Sequence, residues 1–144
     1  MNRINDKIDE INEYLRELAE IVPANLEEYK SSNLTRAACE RYAEKIIEAV
    51  TDLAFLVIKI KKFEIPEDDT EAFSILLENK VIDNALAEKL KDAKRMKNII
   101  SHLYGKVDDE IVFEAINEEL EKDVKRFIAS VQIIYKKEEN GKRD

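Results

Sequence analysis

The stretch RMKNIISHLYGKVD, residues 95–108, holds side chains that could cleave a phosphodiester bond. His102 is the only histidine among 144 residues, and an imidazole can take up and release protons near neutral pH. Arg95 lies seven positions earlier, and a guanidinium can fork onto phosphate oxygens and offset the charge of a transition state. Asn98 lies between them and could orient the imidazole or the scissile phosphate.

The three side chains would share one face of a helix. On a wheel of about 100° per residue with Leu86 at its origin, Arg95 falls at about 180° and His102 at about 160°. Asn98 falls at about 120°, whereas the apolar residues of the stretch form an arc on the opposite side. Polar residues also populate any exposed helix face, so the motif could be accidental.

Charge sets a limit on the partners of the chain. The formal net charge is −8, which argues against broad, non-specific binding of nucleic acid. A local basic run nevertheless precedes His102 and forms either a binding site or a solvated helix face. Its members are Lys89, Lys91, Lys94, Arg95 and Lys97.

The elements that carry these residues are predicted to be helices. Only two Gly and two Pro occur, and apolar residues recur at steps of three and four. The N-cap candidates are, in chain order, Ser31, Ser32 or Asn33 for the second helix, Asp68, Asp69 or Thr70 for the third, Asp83 for the fourth and Asp108 for the fifth. Gly105 is the expected C-cap of the fourth helix. The expected helices span residues 4–22, 34–61, 70–79, 84–103 and 109–137, with a short extra turn in ANLEEYKSS.

This pattern predicts an all-α fold, an up-and-down four-helix bundle with an extra short helix. One domain should cover residues 1–137, and residues 138–144 should form a disordered tail. The second half of the long second helix is apolar on more than one face. That helix should therefore lie at the centre of the bundle or partly against another subunit.

Several classes of site are not supported by the sequence. The two glycines cannot build a phosphate-binding loop, and one Cys and one His are too few for a zinc site. We therefore expect no metal and no cofactor, and interpret Cys39 as a small helix residue. No apolar run could span a bilayer or serve as a signal peptide, so a soluble, cytoplasmic protein without membrane contact is expected.

The motif and the order of helices together resemble the HepT-like family of the HEPN superfamily. The resemblance rests on Arg95, His102 and Tyr104, on the continuation KVDDEIVFEAI, and on the long helix that begins LTRAACERYAEKIIEAV. One departure concerns the cation, because the family usually places arginine five residues before the histidine, where this chain has Lys97. Either Arg95 serves at the longer spacing, or Lys97 replaces the arginine without its bidentate fork.

The resemblance implies a metal-independent endoribonuclease toxin of a toxin–antitoxin pair. In that mechanism the RNA 2′-hydroxyl attacks the adjacent phosphorus and leaves a 2′,3′-cyclic phosphate, with His102 as general base or acid and Arg95 stabilising the phosphorane. Asn98 and Lys97 would support them. The family builds its cleft across a homodimer, and two-fold symmetry would supply the second histidine.

The resemblance also implies a partner, a minimal nucleotidyltransferase of the MntA type. This antitoxin would add AMP to Tyr104 and so place negative charge where RNA phosphate binds. Without the resemblance, Tyr104 reads as an aromatic residue that packs at a helix end. The alternative function is a non-catalytic helical dimer that only binds the nucleotidyltransferase.

Overall fold

The structure, a computed structural model, describes the backbone of residues 2–102 and 107–143 and the side chains of residues 3–102 and 107–136. Every regular element in these ranges is helical, which confirms the predicted all-α class. The elements are α1 (Asn2–Ile21), α2 (Leu26–Ser31), α3 (Asn33–Lys61), α4 (Asp69–Glu78), α5 (Asn84–His102), α6 (Asp109–Glu114), a π-helical segment (Ala115–Glu119) and α7 (Leu120–Arg143).

Side-chain caps define where the helices begin. Ser32 Oγ accepts a 3.1 Å hydrogen bond from the backbone N–H of Thr35 at the start of α3. Asp68 and Asp83 accept equivalent bonds of 2.8 Å at the starts of α4 and α5. Asp108 caps α6. Each cap satisfies a backbone donor that the first turn leaves unpaired, so these sequence-predicted starts are confirmed.

The long helix α3 is the centre of the bundle. It packs against α1, α2, α4 and α5, and most of its apolar side chains are buried, whereas Leu34 and Ile60 remain exposed. Of the two environments predicted for it, the central one is therefore confirmed, and contact with another subunit stays a prediction. The buried residues of α3 are Cys39, Ala43, Ile46, Ile47, Ala49, Val50, Thr51, Leu53, Ala54, Val57 and Ile58.

Aromatic pairs join the outer helices to this core. Phe73 of α4 meets Phe127 of α7 nearly edge-on, with ring centroids 6.3 Å apart and planes at 80°. Tyr29 of α2 packs on Phe113 of α6 at 5.3 Å. Edge-on geometry places the positive ring edge against the negative face of its neighbour. These contacts join α4 to α7 and α2 to α6.

The last helix differs from the prediction in two respects. The expected single helix over 109–137 is interrupted by the π-helical segment, and α7 continues to Arg143. The division into a domain and a tail at residue 137 stays a prediction.

In the part of the chain that the structure describes, no helix combines the length and apolarity needed to cross a bilayer. The same residues contain no group of three or more His, Cys, Asp or Glu side chains arranged to hold a metal ion.

Candidate active site

The polar motif forms an exposed stripe along the second half of α5. Arg95, Asn98 and His102 are all exposed, and their spacing of three and four residues aligns them over two helical turns. His102 is the last described residue of α5. Tyr104 and Gly105 lie outside the described residues. The stripe therefore presents a cation, an amide and an imidazole to whatever approaches this face.

Arg95 is held from within its own helix. One of its terminal nitrogens bonds Asp92, one turn earlier, while 58% of the Arg95 side chain stays accessible. An exposed ion pair of this kind contributes little to stability. Asp92 restrains the guanidinium along the helix and leaves it available to an anionic ligand.

Lys97 has a different environment. Only 15% of its side chain is exposed, and its Nζ lies 3.8 Å from Glu48 Oε1 on α3. This position agrees with the helical wheel, which put Lys97 on the core side. Its ammonium group contacts α3 instead of joining the exposed stripe.

The basic run predicted before His102 is not one continuous surface. Lys94 is buried, with Nζ 2.6 Å from Asp69 Oδ2 on α4. Lys91 is mostly covered and lies 3.8 Å from Glu88. Of the five cations only Lys89 and Arg95 are exposed, so the run forms neither one continuous binding surface nor one solvated face. Helical periodicity distributes consecutive cations around the helix.

Ser101 and Glu44 were not predicted as part of the site. Ser101 Oγ donates a 2.7 Å hydrogen bond to Glu44 Oε2, which joins the last turn of α5 to α3 across 57 positions of sequence. Both side chains are half-buried. The sequence offers no signal for this pair, because Glu44 is one of 32 acidic residues.

A cleft of about 410 Å³ lies beside this hydrogen bond, between α3, the end of α5 and the start of α6. Its polar walls are Arg36, Glu40, Glu44, Ser101 and Asp109. Arg36 Nε lies 3.7 Å from Asp109 Oδ2. Burial raises the pKa of the Glu40 carboxyl, the carboxylates of Asp109 and Glu44 raise it further, and Arg36 opposes them.

Two other features can be separated from the site. Cys39 is fully buried, and burial together with Glu40 raises the pKa of its thiol to about 11. A protonated, enclosed thiol is a poor nucleophile, in agreement with the structural interpretation of Cys39. A larger cleft of about 520 Å³ lies at the other end of α5, near Asp83 and Arg126, and none of the predicted site residues lines it.

Comparison with known proteins decides the family. The profile of the family described as Ribonuclease HepT-like matches residues 11–131, well over half of the chain.

The chain belongs to the ribonuclease HepT-like family.

This HepT-like assignment confirms the resemblance seen in the motif and the helix order, and it assigns the chain to the ribonucleases as an enzyme class. Over 91 residues the chain is 32% identical to a candidate RNase of Archaeoglobus fulgidus, an alignment covering 63% of this chain and 67% of that protein. It is 28% identical over 85 residues to the mRNA nuclease HepT of Shewanella oneidensis, covering 59% and 63%. The chain thus aligns with somewhat less than two thirds of the Shewanella nuclease.

The HepT-like fold is also that of a solved toxin. A tri-AMPylated HEPN toxin of Shewanella oneidensis, in complex with an MNT antitoxin, superposes with a TM-score of 0.83. The match covers 90% of this chain and 96% of that one at 22% identity. Identity at this level shows a shared fold, and the HEPN-like bundle predicted from the sequence is confirmed.

Proposed function

We propose that this chain is the ribonuclease toxin of a toxin–antitoxin pair and cleaves RNA without a metal ion. The observation that carries the proposal is the exposed stripe of Arg95, Asn98 and His102 on α5. The family assignment supports RNA as the substrate, and one relative is named an mRNA nuclease.

The proposed reaction is an internal transfer at phosphorus. A base removes the proton of the RNA 2′-hydroxyl, whose oxygen bonds to the adjacent phosphorus while the bond to the 5′-oxygen breaks. An acid then protonates that leaving oxygen, and the products are a 2′,3′-cyclic phosphate and a 5′-hydroxyl. His102 supplies a proton-transfer group, and Arg95 offsets the charge on the phosphorane. Asn98 orients either the imidazole or the scissile phosphate.

The two proton transfers favour a homodimer. One chain contains a single histidine, whereas the reaction needs a base and an acid on opposite sides of the phosphorus. If a two-fold axis passed beside the exposed face of α5, the His102 side chains of the two copies would lie in one shared site between the chains. Ile99, beside the stripe, is 41% exposed and would be covered by the second copy.

The proposed antitoxin is a minimal nucleotidyltransferase that adds AMP to Tyr104. The tri-AMPylated toxin bound to an MNT antitoxin supports this partner. Tyr104 follows His102 by two residues, so phosphate groups on its hydroxyl would introduce negative charge next to the proposed site. RNA phosphate would then be repelled from the site.

Cleavage of labelled total RNA by the purified full chain, in chelator-containing buffer and with end-group analysis, tests the proposal. We expect cyclic phosphate ends from the wild-type protein, no cleavage by His102→Ala and unchanged cleavage by Lys89→Ala, which removes an exposed cation from the same helix. Circular dichroism and light scattering should show that His102→Ala remains folded and dimeric.

Two outcomes would overturn parts of this proposal. Cleavage that begins only when Mg²⁺ is added would disprove the metal-independent reaction. An inactive wild-type chain that still binds a nucleotidyltransferase would support the non-catalytic binding dimer instead, a reading that the net charge of −8 favours.

A further inference from the structure

We propose that Glu44 and Ser101 are positioning residues that hold His102 in place for proton transfer. The inference rests on the proposed ribonuclease function and adds two residues to its site. Neither would touch the RNA. Their 2.7 Å hydrogen bond ties the residue immediately before His102 to α3.

The bond belongs to a regular set of contacts between α3 and α5. Glu44 and Glu48 are four residues apart on α3, and they face Ser101 and Lys97, four residues apart on α5. The order is reversed, so the two helices run antiparallel at this point. Spacing of four residues keeps both contacts on one face of each helix.

A third contact extends this face of α5. Lys94 contacts Asp69 on α4 at 2.6 Å, so residues 94, 97 and 101 all contact neighbouring helices. Arg95, Asn98 and His102 follow them by one residue each and are exposed. Because one residue corresponds to about 100° around an α-helix, the contacts on the first stripe fix the direction of the second.

The Glu44–Ser101 bond matters most for His102 because of its place in the helix. Ser101 directly precedes His102, the last described residue of α5, so its contact with α3 acts on the backbone next to the imidazole. Of the residues just before His102, Ile100 is buried and Ser101 is bonded to α3. Lys97 acts one turn earlier and at a looser 3.8 Å.

The chemistry explains why such a restraint would be useful. Proton transfer requires the imidazole within hydrogen-bond reach of the reacting oxygen. A displacement of about 1 Å can lower a rate by about a hundredfold. His102 is exposed and has little packing of its own, so the contact made by Ser101 determines where the backbone of His102 lies.

The kinetic test compares four variants of the full chain. Ser101→Ala removes the donor, and we expect kcat to fall by about tenfold while KM stays within about twofold. Ser101→Thr keeps a hydroxyl and Glu44→Gln keeps an acceptor oxygen, so both should stay within about threefold of wild type. Tyr42→Phe is the matched control, because it removes a 2.6 Å hydrogen bond to Glu17 that joins α1 to α3 away from the motif.

A second measurement does not depend on cleavage. His102 is the only histidine, so its ring gives one unambiguous ¹H–¹³C correlation peak. Ser101→Ala should shift and broaden that peak, whereas Ser101→Thr and Tyr42→Phe should leave it in place. If wild-type protein cleaves no RNA but the peak behaves in this way, the ribonuclease proposal fails and the positioning contact stands.

Two results would overturn the positioning role. Ser101→Ala with wild-type kcat and an unchanged His102 peak would show that the bond does not define the imidazole. An equal loss of kcat in Tyr42→Phe would show that any break between helices has this effect.

Discussion

Lys94 and Asp69 form a 2.6 Å contact between α5 and the first turn of α4, with only 10% of the lysine side chain exposed. The lysine directly precedes Arg95, so an enclosed cation and an exposed cation stand side by side on one helix. Their environments separate two roles: Lys94 joins helices, and Arg95 is available to a ligand.

The Lys94–Asp69 contact predicts an asymmetry between two substitutions. Asp69→Asn leaves an enclosed ammonium group without its counter-charge, and we expect the free energy of unfolding to fall by about 2 kcal/mol. Lys94→Met removes the enclosed cation and leaves only Asp69 without a partner, and because the Asp69 side chain is 43% exposed to water, this substitution should cost less than Asp69→Asn. Urea unfolding measures both, and a larger loss in Lys94→Met would contradict this account.

Arg95 and Lys97 are expected to differ in their effect on RNA cleavage. Arg95→Ala should lower kcat by about a hundredfold or more, because transition-state charge loses its partner. Lys97→Ala should lower it by less than about tenfold, since Lys97 contacts Glu48 and not the exposed face. Single-turnover cleavage of one labelled RNA compares them. Loss of activity in Lys97→Ala alone would show that Lys97 fills the arginine role of the family.

Glu40 should make stability depend on pH. Its pKa is raised above the ordinary 4.5 by burial and by neighbouring carboxylates. Between the unfolded and folded pKa values the native state binds more protons, so the free energy of unfolding falls as pH rises through that window. Glu40→Gln should therefore raise the melting temperature near neutral pH and have no effect below about pH 4.

The control for Glu40 is Glu118→Gln, which removes an exposed negative charge from the π-helical segment. The control separates the local effect from the general relief of a net charge of −8. Equal gains in melting temperature for both variants would contradict the assignment to the cleft.

Truncation of Phe127 should lower the free energy of unfolding far more than truncation of the exposed Ile133. It is fully buried and meets Phe73 edge-on, so Phe127→Ala leaves a cavity and should lower the free energy of unfolding by about 3–5 kcal/mol. Ile133→Ala on the same helix should cost at most about 0.5 kcal/mol, because Ile133 is 54% exposed. Denaturant titration of both variants tests the difference.

Tyr104 is predicted to be needed for neutralisation but not for cleavage. Tyr104→Phe should retain RNA cleavage, and incubation with a nucleotidyltransferase antitoxin and ATP should add no AMP to it. Intact-mass spectrometry detects the modification directly. Continued inhibition together with AMP transfer to the variant would place the modification on another residue.

The sequence predicted the helices well because its local signals agree with one another. Ser32, Asp68 and Asp83 mark helix starts, and apolar spacing marks the buried faces. The exposed position of Arg95 and His102 also followed from helical geometry alone. These features depend on residues within a few turns of each other.

Contacts between distant segments could not be predicted in the same way. Glu44 meets Ser101 only because α3 and α5 pack together, and nothing local distinguishes this glutamate from the others. The burial of Lys94 likewise depends on Asp69 lying opposite. Apolar periodicity indicates which side of a helix is buried, but it does not predict which polar side chains of two helices contact each other.

Around the π-helical segment, the buried residues are spaced more widely than the 3.6-residue period of an α-helix. Val112, Ile116, Leu120 and Val124 are all buried and follow at three successive steps of four residues. These steps span twelve residues, whereas three α-helical turns take about 10.8. The wider turns at Ala115–Glu119 absorb the extra residue, so the buried face stays continuous from α6 into α7.

The one-residue offset between the two stripes of α5 constrains how this protein can evolve. A substitution changes one side chain of one stripe and leaves the direction of every other side chain on the helix as it was. A one-residue deletion between Lys94 and Ser101 would instead move His102 to the inward position of Ser101, and a one-residue insertion would move Ser101 to the exposed position of His102. Within this segment the length of the chain is therefore under tighter restraint than its composition.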